Sequence, residues 1–233
     1  MKLMNIKEIQ GTITLKSGLH IGAGDMEMKI GGTDNPVIKH PHTLEPYIPG
    51  SSLKGKVRSL LEMKSGLMAA SEGKPLAPSH LNRASEEQKR EGEKILKLFG
   101  SSGAEDEARE KLGPTRVSFA DAFLNREWKE RADENQWPLT EVKSENSINR
   151  IKGTAENPRF TERVPADTRF DFSVTLKALE GDDALEEYLL LGLKLLQMDA
   201  LGGNGSRGYG KLELTFENKD IQRKFDEITP LPG

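Results

Sequence analysis

The amino-acid sequence predicts an α+β protein with a ferredoxin-like β-α-β-β-α-β core, the arrangement that RNA-recognition domains also use. Alternating apolar residues predict strands, and apolar residues at helical spacing predict helices. The strands are expected at 6–16, 117–124, 170–177 and 211–216, and the helices after Ser51 and from Ala184. We therefore expect one domain over 1–233, with insertions at 25–50 (an irregular loop), 65–115 (a helical insertion) and 126–165 (a projecting hairpin).

Composition narrows the class of protein. The chain has 233 residues and no cysteine, which excludes disulfides and thiolate metal sites. It contains no apolar run long enough to span a membrane, so we expect a soluble, cytoplasmic protein without a membrane partner. The formal net charge of −3 argues against a nucleic-acid binder on average. Basic residues nevertheless concentrate in 51–64 and 143–169, and such local stripes matter more for nucleic acid than the total.

The N-terminal third combines one strand with a long irregular segment. Ile9, Ile13 and Leu15 alternate with polar residues, which predicts a half-buried strand. The strand runs into a glycine-rich turn that contains His20. Four prolines between 36 and 49 forbid a helix there. A segment of this length without regular structure is usually functional or mobile.

The first helix begins beside a candidate phosphate site. Ser51 or Ser52 is expected to cap it. Lys54 and Arg58 are four residues apart and therefore share one face. A capped helix N-terminus with hydroxyls and a lysine nearby suits phosphate, although a solvated helix face explains the lysines equally well.

The remaining elements follow from local signals. Ser85 and Gln88 form a capping-box pattern for a helix that ends at Phe99. Residues 126–165 are polar, irregular and partly basic, and have the length of a projecting hairpin. Asp183 is expected to cap the second core helix, and 217–233 are expected to form a tail.

The stretch Ala200–Lys211 reads ALGGNGSRGYGK and joins that helix to the last strand. Five of its twelve residues are glycine. Free N–H groups in such a loop can form an anion-binding nest, to which Arg207 adds charge and Tyr209 a flat ring. Two nucleotide-binding patterns match here, but the order helix-loop-strand and Leu212 after the lysine argue against both.

Two of these stretches resemble the RAMP superfamily of CRISPR proteins. They are Pro49–Arg58 (PGSSLKGKVR) and Leu201–Lys211 (LGGNGSRGYGK), taken with the predicted core. Three further stretches, His20–Gly24 (HIGAG), Gly31–Val37 (GGTDNPV) and Glu145–Pro165, are similar to the Csm-type backbone subunit of the type III-A effector complex. The resemblance covers about residues 5–216, implies that 25–50 is a lid or catalytic loop and 126–165 a thumb hairpin, and assigns no chemistry to the charged insertion at 65–115.

The resemblance implies partners and residues. Copies of the protein would line up along one CRISPR RNA (crRNA) as a filament, with other subunits of the complex, and pair the guide with a target RNA. Sequence-independent contacts to the guide backbone suit this role. The implied RNA-binding residues are His20, Ser51, Ser52, Lys54, Lys56, Arg58, Arg150, Arg159, Gly202, Gly203, Arg207 and Tyr209.

The resemblance also implies target-RNA cleavage at regular intervals, with Asp34 as the catalytic and metal-binding residue. Mg²⁺ or another divalent cation is the expected cofactor, because Mg²⁺ takes one or two carboxylates plus phosphate. An Asx turn before Asn35-Pro36 is the structural alternative for Asp34. Two other functions remain open: a non-catalytic crRNA-binding scaffold, and a metal-independent endonuclease that processes crRNA with His20 as general base.

Overall fold

The computed structural model of this chain describes residues 1–24, 35–101 and 110–231. It combines helices with antiparallel strands, which confirms the predicted α+β class. The strands are β1 (Leu3–Leu15), β2 (Val117–Phe119), β3 (Phe123–Leu124), β4 (Glu141–Asn149), β5 (Thr154–Arg163), β6 (Arg169–Leu179) and β7 (Leu212–Phe216). The α-helices are α1 (Gly50–Lys64), α2 (Glu86–Phe99), α3 (Arg126–Glu134), α4 (Leu185–Met198) and α5 (Lys219–Glu227).

The main sheet has the order β2-β6-β1-β7, and β3 also pairs with β6. β1 and β6 pair along almost their whole length, from Leu3 opposite Leu179 to Thr14 opposite Arg169. β7 pairs only with the second half of β1. The predicted strand at 117–124 is therefore two short strands, both against β6. The strands β4 and β5 form a separate two-stranded hairpin within 126–165.

One face of the main sheet is covered by helices. α1 packs against α4 and α2, and α5 packs against α4 and β7. The predicted apolar stripes are buried on both core helices, with Leu53, Val57 and Leu61 on α1 and Leu189 and Leu193 on α4. Burial of these side chains, at about 25 cal/mol per Å² of apolar surface, is the main force that holds the helical layer on the sheet.

The helix cap predicted from the sequence is correct for one helix and wrong for two. Ser85 and Gln88 form the predicted capping box of α2. The prediction that Ser51 or Ser52 caps α1 is wrong. α1 begins at Gly50, whose N–H donates to the Asp121 carboxylate at 2.8 Å, so the cap comes from the β2–β3 connection. A short-range pattern cannot reveal a cap supplied from a distant segment.

Asp183 likewise does not cap α4. The helix follows Ala184, which has a φ of 52°, and no side chain caps it. The neighbouring Asp182 has the structural role instead, because it accepts hydrogen bonds from the buried Arg116 and from the Leu179 N–H. These bonds outweigh the cost of burial and lower the pKa of Asp182.

The C-terminal residues are not a tail. Asn218 caps α5 through the N–H groups of Asp220 and Ile221. Ile221 and Phe225, four residues apart, are buried on one side of this helix. No helix in the part of the chain that the structure describes is long and apolar enough to cross a membrane.

Candidate nucleic-acid interface

The glycine loop between α4 and β7 is closed on itself and packed against the turn after β1. The Gly203 N–H donates to the His20 carbonyl at 2.9 Å, and the Gly210 N–H donates to the Gly18 carbonyl at 2.9 Å. Gly202 and Gly210 have φ values of 74° and 71°. A Cβ on Gly202 would lie 2.3 Å from the His20 carbonyl oxygen, so a side chain does not fit there.

This geometry limits which N–H groups of the loop could form the expected anion nest. The N–H groups of Gly203 and Gly210 are used within the protein, as is that of Arg207, which donates to Asn204. The N–H groups of Gly202, Asn204, Gly205 and Ser206 have no acceptor among the described residues. The open donors therefore include Gly202 and the start of the 3-10 turn Gly205–Arg207, but not Gly203.

Tyr209 joins the glycine loop to the β4–β5 hairpin. Its ring is fully buried, with the Lys143 ammonium 4.6 Å and the Arg163 guanidinium 4.9 Å from the ring centroid. Its hydroxyl donates to Glu145 at 3.1 Å, and Arg207 donates to the other oxygen of Glu145 at 2.9 Å. Tyr209 is therefore a packing residue and does not present a free ring for stacking.

Glu145 stays charged in this arrangement. Burial opposes its ionisation, but hydrogen bonds from Lys143, Tyr209 and Arg207 outweigh burial and lower its pKa. Burial and the bond to Glu145 raise the pKa of the Tyr209 hydroxyl. The contact between loop and hairpin is thus a charge-assisted network.

A groove lies between the glycine loop and the hairpin. It encloses about 430 Å³ and is lined by Glu145, Asn146, Ser147, Asn157, Arg159 and Arg207. The β4–β5 register shifts between Glu145 and Ser147, and Asn157 opposite has a φ of 53°. The structure therefore brings Arg159 and Arg207, which are distant in sequence, to one concave surface. Arg150 lies at the exposed turn of the hairpin.

His20 lies beside the glycine loop and is held there by the strand β5. Its Nδ1 lies 2.7 Å from the Glu162 carbonyl oxygen. A carbonyl oxygen only accepts hydrogen bonds, so Nδ1 carries the proton in the neutral ring and Nε2 is the basic nitrogen. The nearest glycines to the ring are Gly22 and Gly203.

The carboxylate of Glu162 connects the hairpin to the segment after residue 34. It accepts hydrogen bonds from the Val37 N–H at 2.9 Å, from the Lys39 ammonium at 2.6 Å and from the Thr140 hydroxyl at 2.8 Å. Burial raises its pKa, but these three donors outweigh burial, so the pKa of Glu162 lies below its ordinary value. Asn35 also pairs with Thr161.

Asp34 lies outside the described residues. Among the residues that are described, no group of three or more histidine, aspartate or glutamate side chains could hold a metal ion. Asn35, the next residue, pairs with β5 beside the carbonyl that holds His20. A catalytic role for Asp34 and a divalent cation stay predictions.

Some of the candidate RNA-binding residues on α1 are open to solvent, and others already bind partners within the protein. Ser51 is exposed, and Ser52 and Lys54 are half-buried. Burial, and next the charge of Arg58, lower the pKa of Lys54. Lys56 pairs with Asp199 at 2.6 Å.

Arg58 is used inside the protein. Its guanidinium donates to Glu62 at 2.7 Å and to the carbonyls of Gly100 and Leu76 at 3.1 and 2.8 Å. The two bonds to carbonyls tie α1 to residues of the 65–115 insertion. The structure does not bring Arg58 to the groove, although its sequence spacing suggested a shared face with Lys54.

Comparison with known proteins identifies the family. Residues 12–213 match the family described as the RAMP superfamily. This chain belongs to the RAMP superfamily. Among RAMP proteins, it is 41% identical over 232 residues to the "CRISPR system Cms endoribonuclease Csm3" of Streptococcus thermophilus, which covers 93% of this chain and 94% of the relative. It is 39% identical to the protein of that name from Methanothermobacter thermautotrophicus, over 93% of this chain and 85% of the relative.

Two solved structures contain chains that are similar to this one. A chain in the crystal structure of the Csm3-Csm4 subcomplex in the type III-A CRISPR-Cas interference complex is 26% identical, with a TM-score of 0.55, and the match covers 98% of this chain and 99% of that chain. A chain in the type III-B Cmr-beta complex bound to cognate target RNA has a TM-score of 0.57 at 17% identity, covering 91% of this chain and 60% of that chain, which shows a common fold alone.

Proposed function

We propose that this RAMP protein is a backbone subunit of a type III-A CRISPR complex that binds crRNA and cleaves the paired target RNA. The observation that carries the proposal is the groove in which Arg159 of the hairpin meets Arg207 of the glycine loop. Two guanidinium groups in one groove, beside a loop with open N–H donors, suit a phosphate backbone. The relatives named as endoribonucleases and the type III-A structure support the same function.

The rest of the proposed assembly follows from this function. The partners are crRNA, target RNA, other subunits of the complex and further copies of this chain arranged as a filament, in the cytoplasm. The β4–β5 hairpin is proposed as the thumb, because its residues 146–160 are exposed apart from the partly buried Asn149 and Glu156, and the hairpin forms a sheet separate from the core sheet. The core is proposed to be ferredoxin-like, supported by the antiparallel order β2-β6-β1-β7 and the order of α1 and α4 in the chain.

Cleavage is assigned to Asp34 with Mg²⁺ or another divalent cation. A divalent cation would stabilise the negative charge that develops on the phosphate. It would also hold a water or a phosphate oxygen in position. The described residues that follow this aspartate in the chain are held against β5. Asn35 pairs with Thr161, and Val37 donates to Glu162, so the chain after Asp34 is fastened to β5 at two points.

The test is target cleavage by complexes assembled with Asp34→Asn. We expect cleavage of labelled complementary RNA to fall by about a hundredfold or more, as for other lost catalytic groups. Assembly and target binding should survive. Asp183→Asn, which changes an exposed aspartate in the turn before α4, is the matched control. Normal target binding with retained cleavage would exclude Asp34 as the catalytic residue, and loss of assembly would make it a structural residue.

The metal-independent alternative rests on His20. Its protonated Nδ1 leaves Nε2 as a basic nitrogen beside the glycine loop. Cleavage of precursor crRNA that continues in EDTA and is lost in His20→Ala would support that function instead. Complete loss of cleavage in EDTA would favour the metal-dependent one.

A further inference from the structure

A second surface feature lies outside the groove, where four aromatic rings form a cluster. Tyr47 and Phe123 are stacked, with ring centroids 5.8 Å apart and an interplanar angle of 28°. His40 meets the Phe123 ring edge-on at 6.0 Å, and His42 meets His40 at 5.5 Å. We call His40, His42, Tyr47 and Phe123 the aromatic cluster. It holds two of the four histidines of a chain with only 6% aromatic residues, so this concentration calls for an explanation.

The aromatic cluster borders the sheet face that the helices leave uncovered. Phe123 lies directly opposite Asp171 in the β3–β6 pair, and directly opposed residues share one face of a sheet. Asp171 in turn lies opposite Thr12 on β1. Thr12 belongs to the polar side of β1, whose other side carries the buried Ile9 and Ile13. Half of the Phe123 surface is open to solvent, at 50% exposure, which leaves room for another planar ring.

A free cation lies beside the cluster. Arg169 is on the same strand and the same face as Asp171, two residues away, so it is a diagonal neighbour of Phe123 at roughly 7–8 Å between backbones. The Arg169 side chain is exposed, and among the residues that the structure describes it makes no ion pair or hydrogen bond. An open guanidinium beside stacked rings is the combination that single-stranded nucleic-acid sites use.

A short segment connects the aromatic cluster to the strand β5, which also contributes Arg159 to the groove. The segment 35–48 begins against β5, where Lys39 contacts Glu162 next to His20. It then turns back through paired residues Lys39 and Pro46 and ends with Ile48 paired to Ala122, directly before Phe123. The cluster and the groove are therefore both attached to β5.

The chemistry favours a nucleobase over a protein surface as the occupant. Three of the four rings carry polar atoms, and Arg169 is a diagonal neighbour of Phe123. A stable protein interface needs about 800 Å² on each partner, usually with an apolar centre. Phe123 is the only strongly exposed apolar side chain within the cluster. A few rings beside a free guanidinium match one or two bases and a phosphate.

We propose that the aromatic cluster stacks with unpaired nucleobases of bound RNA and that Arg169 contacts the adjoining phosphate. The proposal rests on the proposed function in one respect, that the chain binds RNA. It adds a site that recognises bases by their planar faces, whereas the groove recognises the backbone. Such stacking tolerates any base sequence, because every base has a π face.

The test measures the affinity of the full chain for two labelled, unstructured single-stranded RNAs of equal length. One RNA carries all of its bases, and the other has abasic positions. Wild-type protein should prefer the base-containing RNA. The double variant Tyr47→Leu/Phe123→Leu should lower that preference about fivefold or more, the usual effect of removing base–aromatic stacking. Its affinity for abasic RNA should stay within about twofold, since the phosphate contacts remain.

Three matched variants make the result specific. The exchange Tyr47→Phe/Phe123→Tyr keeps both rings and should keep the preference, which separates stacking from a folding defect. Trp137→Leu removes an exposed aromatic side chain outside the cluster and should change nothing. Arg207→Ala should weaken the binding of both RNAs alike and leave the ratio of their affinities unchanged, because Arg207 lies in the groove.

The outcomes separate this proposal from the proposed function. If wild type binds both RNAs and the double variant keeps the full preference for bases, the stacking site is refuted while the backbone groove stands. If wild type binds neither RNA, alone or in an assembled complex, both proposals fail. If the double variant keeps its base preference but loses self-association in sedimentation, the cluster is a protein interface and the stacking proposal is overturned.

Discussion

Two glutamates organise the basic region at the level of single residues. Glu145 holds Arg207 and Tyr209 of the glycine loop, and Glu162 holds Lys39 and the Val37 N–H. Each carboxylate therefore ties the β4–β5 hairpin to a different neighbouring segment. The sequence offers no signal for this, because a glutamate in a basic stretch is equally compatible with an exposed charge.

The low pKa of Glu162 gives a testable pH dependence. A group whose pKa is lower in the folded than in the unfolded state stabilises the fold above its unfolded pKa, and this stabilisation is lost as the pH falls through the folded pKa. Glu162→Gln keeps an acceptor for Val37 but loses the charge that pairs with the partly exposed Lys39. We expect it to reduce the free energy of unfolding by about 1 to 2 kcal/mol at neutral pH.

Urea unfolding of both proteins between neutral pH and about pH 3, which extends below the ordinary pKa of a glutamate, measures this effect. The difference between wild type and Glu162→Gln should shrink as the pH falls, because the wild-type carboxylate becomes protonated. Glu134→Gln, at an exposed position on α3, is the control and should be neutral at every pH. A difference that stays constant with pH would show that the charge of Glu162 does not stabilise the fold.

At the level of elements, sequence periodicity predicted the parts with strong local signals. The stripes of α1 and α4 and the capping box of α2 occur where they were predicted. α5 was missed because its signal is short, although Asn218 and the pair Ile221 and Phe225 at i and i+4 carry it. Whether the three insertions correspond to functional units stays a prediction.

The candidate site was predictable only as separate motifs. The glycine loop and the basic hairpin each stood out in the sequence, but their meeting at Arg159 and Arg207 depends on tertiary packing. The side chain that caps α1 and the internal hydrogen bonds of Arg58 and Tyr209 depend on tertiary packing as well. A residue's type and spacing reveal which contacts it can make, and only the fold decides which of them it makes.

The helix α5 should contribute stability without forming part of the groove. Phe225 is 1% exposed, its ring lies 4.9 Å from that of Phe216, and the Lys194 ammonium lies 4.5 Å above it. Phe216 ends β7, at the opposite end of that strand from the glycine loop. Removal of the ring leaves a cavity, so Phe225→Ala should cost about 3 kcal/mol or somewhat more.

Chemical denaturation measures this cost, and RNA binding is measured on the folded fraction below the transition. Arg223→Ala on the same helix is the control, because its pair with Asp220 is exposed and should contribute less than about 1 kcal/mol. Unchanged stability in Phe225→Ala would mean that α5 is not fixed to the core. A selective loss of RNA affinity in a stable variant would place α5 in the binding surface.

For the molecule as a whole, the local distribution of charge should affect RNA binding more than the net charge does. The chain has a formal net charge of −3, yet its groove carries Arg159 and Arg207. Acidic residues such as Glu186 form pairs elsewhere, with Lys7 and Lys224. We therefore expect RNA affinity to depend on the number of phosphates that the groove neutralises, and not on net charge.

The salt dependence of RNA binding counts these phosphates. For single-stranded nucleic acid, the slope of log K against log salt concentration is about −0.7 for each neutralised phosphate. Among the described residues Arg159 makes no ion pair, whereas Arg207 already shares its charge with Glu145 at 2.9 Å. Arg159→Ala should therefore reduce the slope by about 0.7, and Arg207→Ala by less. Both effects should be equal for RNAs of unrelated sequence, because backbone contacts carry no sequence information.

Anisotropy titrations at several salt concentrations, with Arg223→Ala as a control outside the groove, give the slopes. An unchanged slope in the Arg159→Ala/Arg207→Ala double variant would show that RNA does not lie in this groove, and a loss confined to one RNA sequence would indicate base recognition there instead.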